Sequence, residues 1–351
     1  MNQTDHQQNP PPEDRYSRQI RFAPIGAEGQ KRLGESCVTI IGCGALGSRL
    51  AETLVRAGVG RLNIVDRDYI ELSNLQRQML FDEEDISQNL PKAEAAARKL
   101  RKMNSQVTIT PYVADANHET IEIFTDGADL ILDGTDNLLT RYLINDLAVK
   151  GKIPWIYGAC LAATGMAMVV GPGGKPCLRC VFDTPPEPGQ LETCQTAGII
   201  GPVADMVAAF QATEALKILT DNSSAINRSL VIFEPWINRF HQMPVGELGE
   251  GCPCCEERDF EYLKGKASLS TIALCGRNTV QVRPRLKGKK VDLKELSRRL
   301  EGSGEINLSE FMIRLNLPDY EITIFPDSRA IIKGTEDVDT ARSLYARYVG
   351  H

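Results

Sequence analysis

Short apolar runs and helix-period stretches take turns along the first half of this chain. Val38–Ile41 is a continuous apolar run that feeds into Gly42, Gly44 and Gly47, and Ser48–Ala57 follows with good helix formers. That order predicts a strand, a tight turn and a helix. Gly58–Gly60 ends the helix, and Arg61–Val65 is a second run that stops at Asp66. Asp82–Leu90 reads as an acidic loop; Pro91 then opens the stretch PKAEAAARKLRKM at the first-turn position that proline prefers. Val107–Val113 alternates as a strand, Glu119–Phe124 as a short helix, and Ala128–Leu132 is a fourth strand running into Asp133, ahead of a helix from near Leu138. Strands separated by helices predict a parallel sheet covered on both faces.

The pattern then changes. Trp155–Ala159 and Gly165–Val170 have strand character with no helix between them, which predicts antiparallel pairing. Pro202–Leu219 is apolar almost all round, as in a helix buried in a core or a subunit interface. Leu230–Phe233 adds a strand. The predicted fold class is α/β: a Rossmann-like sheet with a parallel half followed by antiparallel strands. From residue 258 to 351 a separate small α+β module is expected, with a strand at Thr279–Val282, a helix at Leu293–Leu300, a hairpin turning at Asp327-Ser328-Arg329 and a final helix near Thr340–Tyr348. Residues 14–257 form the main domain in this reading. Met1–Glu13 is polar, contains prolines and is expected to be disordered, with neither a signal peptide nor a membrane anchor.

Composition adds bounds. The chain has 351 residues, 42% of them hydrophobic, enough for one large core and a smaller one. Its net charge of −6 argues against nucleic acid as the main partner, and no apolar stretch is long enough for a membrane span.

The candidate chemistry begins at the glycine turn. A helix N-terminus behind a glycine turn receives an anion, and Asp66 lies where an acid binds a ribose hydroxyl. A dinucleotide dehydrogenase shares those features. The cluster that follows, Asp66-Arg67-Asp68, Ser73-Asn74-Leu75 and Arg77-Gln78, favours a triphosphate, which needs donors along its whole length. Lys92 stands in the first turn of a helix, where a cation is poorly placed for the dipole; a nearby phosphate or a plain surface position would each explain it. Asp136, beyond the fourth strand, is a candidate Mg²⁺ carboxylate. The alternative is that Asp133 or Asp136 only caps the following helix.

Two of the cysteine pairs, Cys177-x-x-Cys180 and Cys252-x-x-Cys255, have the spacing of a four-thiolate structural Zn²⁺ site, with Cys254 offering a rival register. Cys194 lies in the polar, proline-rich segment TPPEPGQLETCQTAG, where a thiol would be accessible to an acyl-adenylate.

The motifs RYSRQI, the glycine turn, DRDYIELSNLQRQ, Pro91-Lys92, GTDN, CLRC, ETCQTAG and CPCC stand in one order between Asp14 and Cys255. In this the chain resembles the ubiquitin-activating-like adenylyltransferases, the ThiF, MoeB and HesA group. The tail segments TIALCGRNTVQVRP and FPDSRAIIKGT are similar to those of the bacillus-type thiazole-biosynthesis branch. The resemblance implies that ATP and the C-terminal Gly-Gly carboxylate of a ubiquitin-like sulfur carrier, ThiS-like or alternatively MoaD-like, give an acyl-adenylate and pyrophosphate. It also implies that Gly42, Gly44 and Gly47 line the nucleotide, that Asp66 and Asp68 belong to the nucleotide site with Asp66 on the ribose, that Asn74, Arg77 and Lys92 contact phosphates, and that Asp136 binds Mg²⁺. Arg18 matches an arginine that reaches into the neighbouring subunit's site, so a cytoplasmic homodimer is expected. Cys194 matches a cysteine that attacks the activated carrier or forms a persulfide conjugate with it. No rhodanese-like loop is found in the tail, so sulfur would come from a separate donor such as a cysteine desulfurase. A non-catalytic nucleotide-binding scaffold for ubiquitin-like proteins is the alternative from another class.

Overall fold

The computed structural model describes residues 15–186, 196–246, 249–265, 271–274, 278–282 and 291–350. The expected N-terminal tail and Cys194 lie outside the described residues.

Two short helices, α1 (Ser17–Ile20) and α2 (Gly26–Glu35), lead into β1 (Cys37–Ile41), α3 (Ala45–Ala57) and β2 (Arg61–Asp66). The stretch read as an acidic loop contains α4 (Glu83–Ser87), whose first turn is capped by the Asp82 carboxylate accepting from the Glu84 and Asp85 N–H groups. Three consecutive acids in that turn suit its N-terminal dipole. Next come α5 (Lys92–Met103), β3 (Thr108–Val113), α6 (Ile121–Phe124), β4 (Leu130–Asp133) and α7 (Leu138–Gly151). The antiparallel half comprises β5 (Trp155–Leu161), β6 (Thr164–Val170), the single-turn α8 (Leu178–Val181), the long α9 (Gly201–Leu219), β7 (Ser229–Glu234) and β8 (Arg239–Pro244).

These strands form one eight-stranded sheet in the order β3-β2-β1-β4-β5-β6-β7-β8. Pairing is parallel from β3 to β5 and antiparallel from β5 to β8. Side chains alternate across it: Val38, Ile40, Leu62, Ile64, Leu130 and Leu132 enter one core, while Ile41, Val65 and Ile131 enter the other. Both faces of β1 are buried, hence its largely apolar run, in which the buried Thr39 hydroxyl donates to the Phe124 carbonyl at 3.0 Å. Helix α9 packs against α3, β5 and β6, and Gln211 on it donates to the carbonyls of Asp133 and Ile156 at 2.9 and 3.1 Å. Its near-continuous apolar character therefore reflects a place in the core, with Gln211 as a polar link to two strands.

The second sheet, β9 (Thr271–Leu274), β10 (Thr279–Val282), β11 (Glu305–Leu308), β12 (Ile313–Asn316), β13 (Glu321–Ile324) and β14 (Ala330–Lys333), is antiparallel in the order β11-β12-β13-β14-β10-β9. Helices α10 (Leu293–Arg299) and α11 (Val338–Tyr348) close its own apolar core. Tyr262 and Leu263 still pack on the first domain, so the segment just after residue 258 belongs physically to that core.

Candidate nucleotide site and thiolate cluster

The carboxyl ends of β1, β2 and β4 open into a cleft of about 460 Å³, the place where open α/β sheets bind ligands. Two of the three predicted glycines, Gly42 and Gly44, line it. Gly42 has φ +89°, and a Cβ there would fall 2.6 Å from the Gly134 carbonyl oxygen. Gly47 does not face the cleft. A Cβ on it would lie 1.8 Å from the Gly42 carbonyl oxygen, so its role is the close approach of α3 to the turn. Gly47 thus shapes the turn that carries the two lining glycines.

Asp66 accepts hydrogen bonds from the backbone N–H groups of Cys43 (2.6 Å) and Asp68 (2.7 Å), tying the end of β2 to the glycine turn. Burial pushes its carboxyl above the ordinary aspartate range, opposed by the Lys92 ammonium and those two N–H groups. Lys92 is no surface lysine: its side chain is 7% exposed and its Nζ lies 3.4 Å from an Asp68 oxygen. Asn74 is buried, with its side-chain oxygen accepting from the Glu71 N–H at 3.1 Å. Arg77 lines the cleft and donates to the Ser73 carbonyl at 2.8 Å. Asp136 is an exposed carboxylate that lines the same cleft. Neither aspartate caps α7; Asn137 does, accepting from the Thr140 N–H.

Asp133 is fully buried against Arg141, whose Nε donates to it at 3.0 Å and whose Nη2 reaches the carbonyls of Thr135 (2.8 Å) and Gly158 (3.1 Å). Arg141 carries no signal in the sequence, because an arginine in a helical run looks like a solvated face. The GTDN loop that carries Asp136 is braced by this pair. Arg18 is exposed and lies away from the cleft of its own chain. Its neighbour Gln19 binds the Ala57 carbonyl at the far end of α3, a 13-residue helix and hence about 20 Å from the glycine turn.

The arrangement places Lys92, Arg77 and the N-terminus of α3 around a polar cleft flanked by Asp66, Asp68 and Asp136. Cations and a helix N-terminus suit a phosphate chain, and a carboxylate lining the same cleft suits a divalent cation.

The thiolate cluster lies apart from the cleft. The sulfur atoms of Cys177, Cys180, Cys252 and Cys255 all lie within 4.8 Å of one another. Cys177 is 3.7 Å from Cys252 and 3.8 Å from Cys180, and Cys180 is 3.4 Å from Cys255. Four thiolates held about 2.3 Å from a tetrahedral zinc stand about 3.8 Å apart, so the cluster fits that ion. The rival register fails: Cys254 instead contacts the Asp146 carboxylate at 3.4 Å and accepts from Asn145 at 3.2 Å. Asn145 also accepts from the Leu178 N–H, so α7 braces the first knuckle.

Fold and cleft together define a nucleotide-binding α/β protein of the Rossmann-like class. The model of the ThiF family matches residues 16–254, and the chain belongs to this family. It is 44% identical to the sulfur carrier protein ThiS adenylyltransferase of Bacillus subtilis over 339 residues, 96% of this chain and 99% of that one. It is 37% identical to the SAMP-activating enzyme E1 of Haloferax volcanii, over 72% of this chain and 95% of the relative. Among solved structures, E. coli MccB with ATP shares the fold, with a TM-score of 0.60 and 22% identity over 69% of this chain and 74% of the other.

Proposed function

We propose that this protein adenylylates the C-terminal carboxylate of a ubiquitin-like sulfur carrier of the ThiS kind, using ATP and releasing pyrophosphate. The observation that carries this reading is the 44% identity along essentially the full length of both chains to a ThiS adenylyltransferase. That match includes the C-terminal module, whereas the match to the archaeal E1 covers 72% of this chain. A MoaD-like carrier is therefore the less favoured substrate.

A carboxylate is a poor acyl donor, and transfer of AMP to its oxygen supplies a leaving group. The chain's task is alignment of that oxygen with the α-phosphorus and neutralisation of the departing pyrophosphate. In this reading Asp66 receives the ribose hydroxyls, and Gly42 and Gly44 let the backbone approach the phosphates. Lys92, Asn74 and Arg77 donate along the triphosphate. Asp136 would hold Mg²⁺, which when bound offsets charge on the phosphate oxygens. The remote Arg18 supports a homodimer in which it serves the neighbouring site. Cys194 would meet the activated carrier, with sulfur from a separate donor. A zinc ion in the thiolate cluster would be structural, since four protein ligands leave no open position.

ATP and labelled-pyrophosphate exchange tests the reading, with a ThiS-like carrier, a MoaD-like carrier, each lacking its terminal glycine, and none. Exchange that depends on the intact ThiS-like carrier is expected. Measurable ATP binding without exchange on any carrier would favour the scaffold alternative.

A further inference from the structure

The C-terminal module was read from the sequence as a separate unit, yet it forms one wall of the nucleotide cleft. Thr279, Ile331 and Lys333 of the second sheet line the cleft together with Glu71, Asn74 and Lys92.

The module grips the loop that follows β2 at three points. Arg329, 2% exposed, donates from both terminal nitrogens to the Arg67 carbonyl at 3.1 Å each. Tyr69 is buried among Met312, Phe325 and Ile331, and its hydroxyl donates to Glu321 at 2.8 Å. Lys333 pairs with the Glu71 carboxylate, lies 3.2 Å from a Glu321 oxygen, and stands 4.9 Å over the Tyr69 ring. The gripped loop, from Arg67 to Glu71, contains Asp68 and leads directly to Asn74, two predicted ligands of the nucleotide.

Glu71 is the link. The Asn74 N–H donates to the Glu71 backbone carbonyl at 2.9 Å while the Asn74 side chain accepts from the Glu71 N–H at 3.1 Å, so the turn is closed on Glu71 and the Glu71 carboxylate is left to pair with Lys333. A bare carboxylate at this position would face a bound polyphosphate and repel it; paired with an ammonium, it can brace the turn without that repulsion.

We propose that the C-terminal module is a structural half of the ATP site, and that Lys333 is a positioning residue that neutralises Glu71 and so holds the Glu71–Asn74 turn toward the phosphates. The proposal rests on reading the cleft as the ATP site. It assigns the module a task in nucleotide binding rather than in carrier chemistry.

The test uses the full-length protein, with ATP affinity measured by calorimetry and KM and kcat by pyrophosphate exchange. K333M is expected to raise both Kd and KM for ATP about tenfold, within the usual span of coupling between sites, with kcat nearly unchanged. K333R should stay near wild type. The double variant K333M/E71Q should recover most of the affinity, because glutamine keeps the side chain's size and the backbone bonds of the turn and removes the charge. Wild-type ATP affinity in folded K333M would overturn the proposal, and weakened binding that E71Q does not relieve would overturn the route through Glu71. If K333M does not fold, E71Q alone carries the test: affinity equal to or above wild type is expected, and a tenfold loss refutes it. Failure of the wild type itself to bind ATP would instead refute the reading of the cleft, and it is seen before any substitution.

Discussion

Replacing Arg141 by methionine tests the brace under the GTDN loop. The Asp133 side chain has no exposed surface and that of Arg141 is 11% exposed, so the substitution leaves a carboxylate in the core without its counter-charge. Loss of one partner of a buried pair costs about 3–5 kcal/mol. At about 2–4 °C per kcal/mol for a domain of comparable size, the melting temperature should fall by about 10 °C. The loss should depend on pH. Burial already holds the Asp133 carboxyl above its usual range, with Arg141 opposing the shift, and removing the guanidinium drives it higher. A folded-state pKa above the unfolded one gives stability that is complete below about pH 3.9 and is lost as pH rises through the folded value. The gap between wild type and R141M should therefore be wider at pH 8 than at pH 5, read by calorimetric melting at both. D133N/R141M should recover part of the loss, since no charge remains buried and the asparagine oxygen still accepts from the Thr135 or Gly158 N–H. A melting temperature within 2 °C of wild type (about 1 kcal/mol at most), or a gap independent of pH, would refute the reasoning.

Three further outcomes follow from the geometry. G47A should destabilise the fold by about 3 kcal/mol because its methyl meets the Gly42 carbonyl at 1.8 Å, whereas G44A, whose nearest neighbour is Gln78 Nε2 at 3.8 Å, should keep most of its stability and lose ATP affinity; thermal melts and calorimetry separate the two, and similar melts would sink the distinction. C177S should release metal, read by elemental analysis, and lower the melting temperature, since binding energy at such sites is folding energy; a stable wild-type protein purified without metal would rule out the zinc site. D136A should leave the melt unchanged, because the residue is exposed, while slowing pyrophosphate exchange about 100-fold; undiminished exchange would remove Asp136 from the metal's ligands.

Much of the first domain was legible because its central strands β1 and β4 are buried on both faces and so are largely apolar, and because the glycine turn is a local feature. The cysteine pairs were legible for a similar reason, each knuckle spanning four residues, although choosing Cys252 over Cys254 as a ligand needed the contacts of Asn145 and Asp146. What stayed hidden is long-range. Tyr69 and Glu321 are 252 positions apart, and Lys333 and Glu71 are 262 apart, so no spacing rule relates them. Tyr69 and Glu71 lie inside a motif whose polar residues suggested nucleotide contacts, which masked their real partners. Arg141 was hidden in another way: its helix has apolar residues on most sides, and only the position of Asp133 reveals which side the guanidinium enters.

The thiolate cluster also has a consequence for the unfolded chain. Cys177 and Cys252 stand 75 positions apart, and the chain between them holds the whole of α9, β7 and β8. A metal joining these knuckles closes a loop of that length, which removes about 4 kcal/mol of entropy from the open chain on the cross-link model. The knuckles would then act as a fastener. Once the ion is seated, the long core helix and the two strands after it are tethered at both ends, and their search for the sheet is confined to a closed loop.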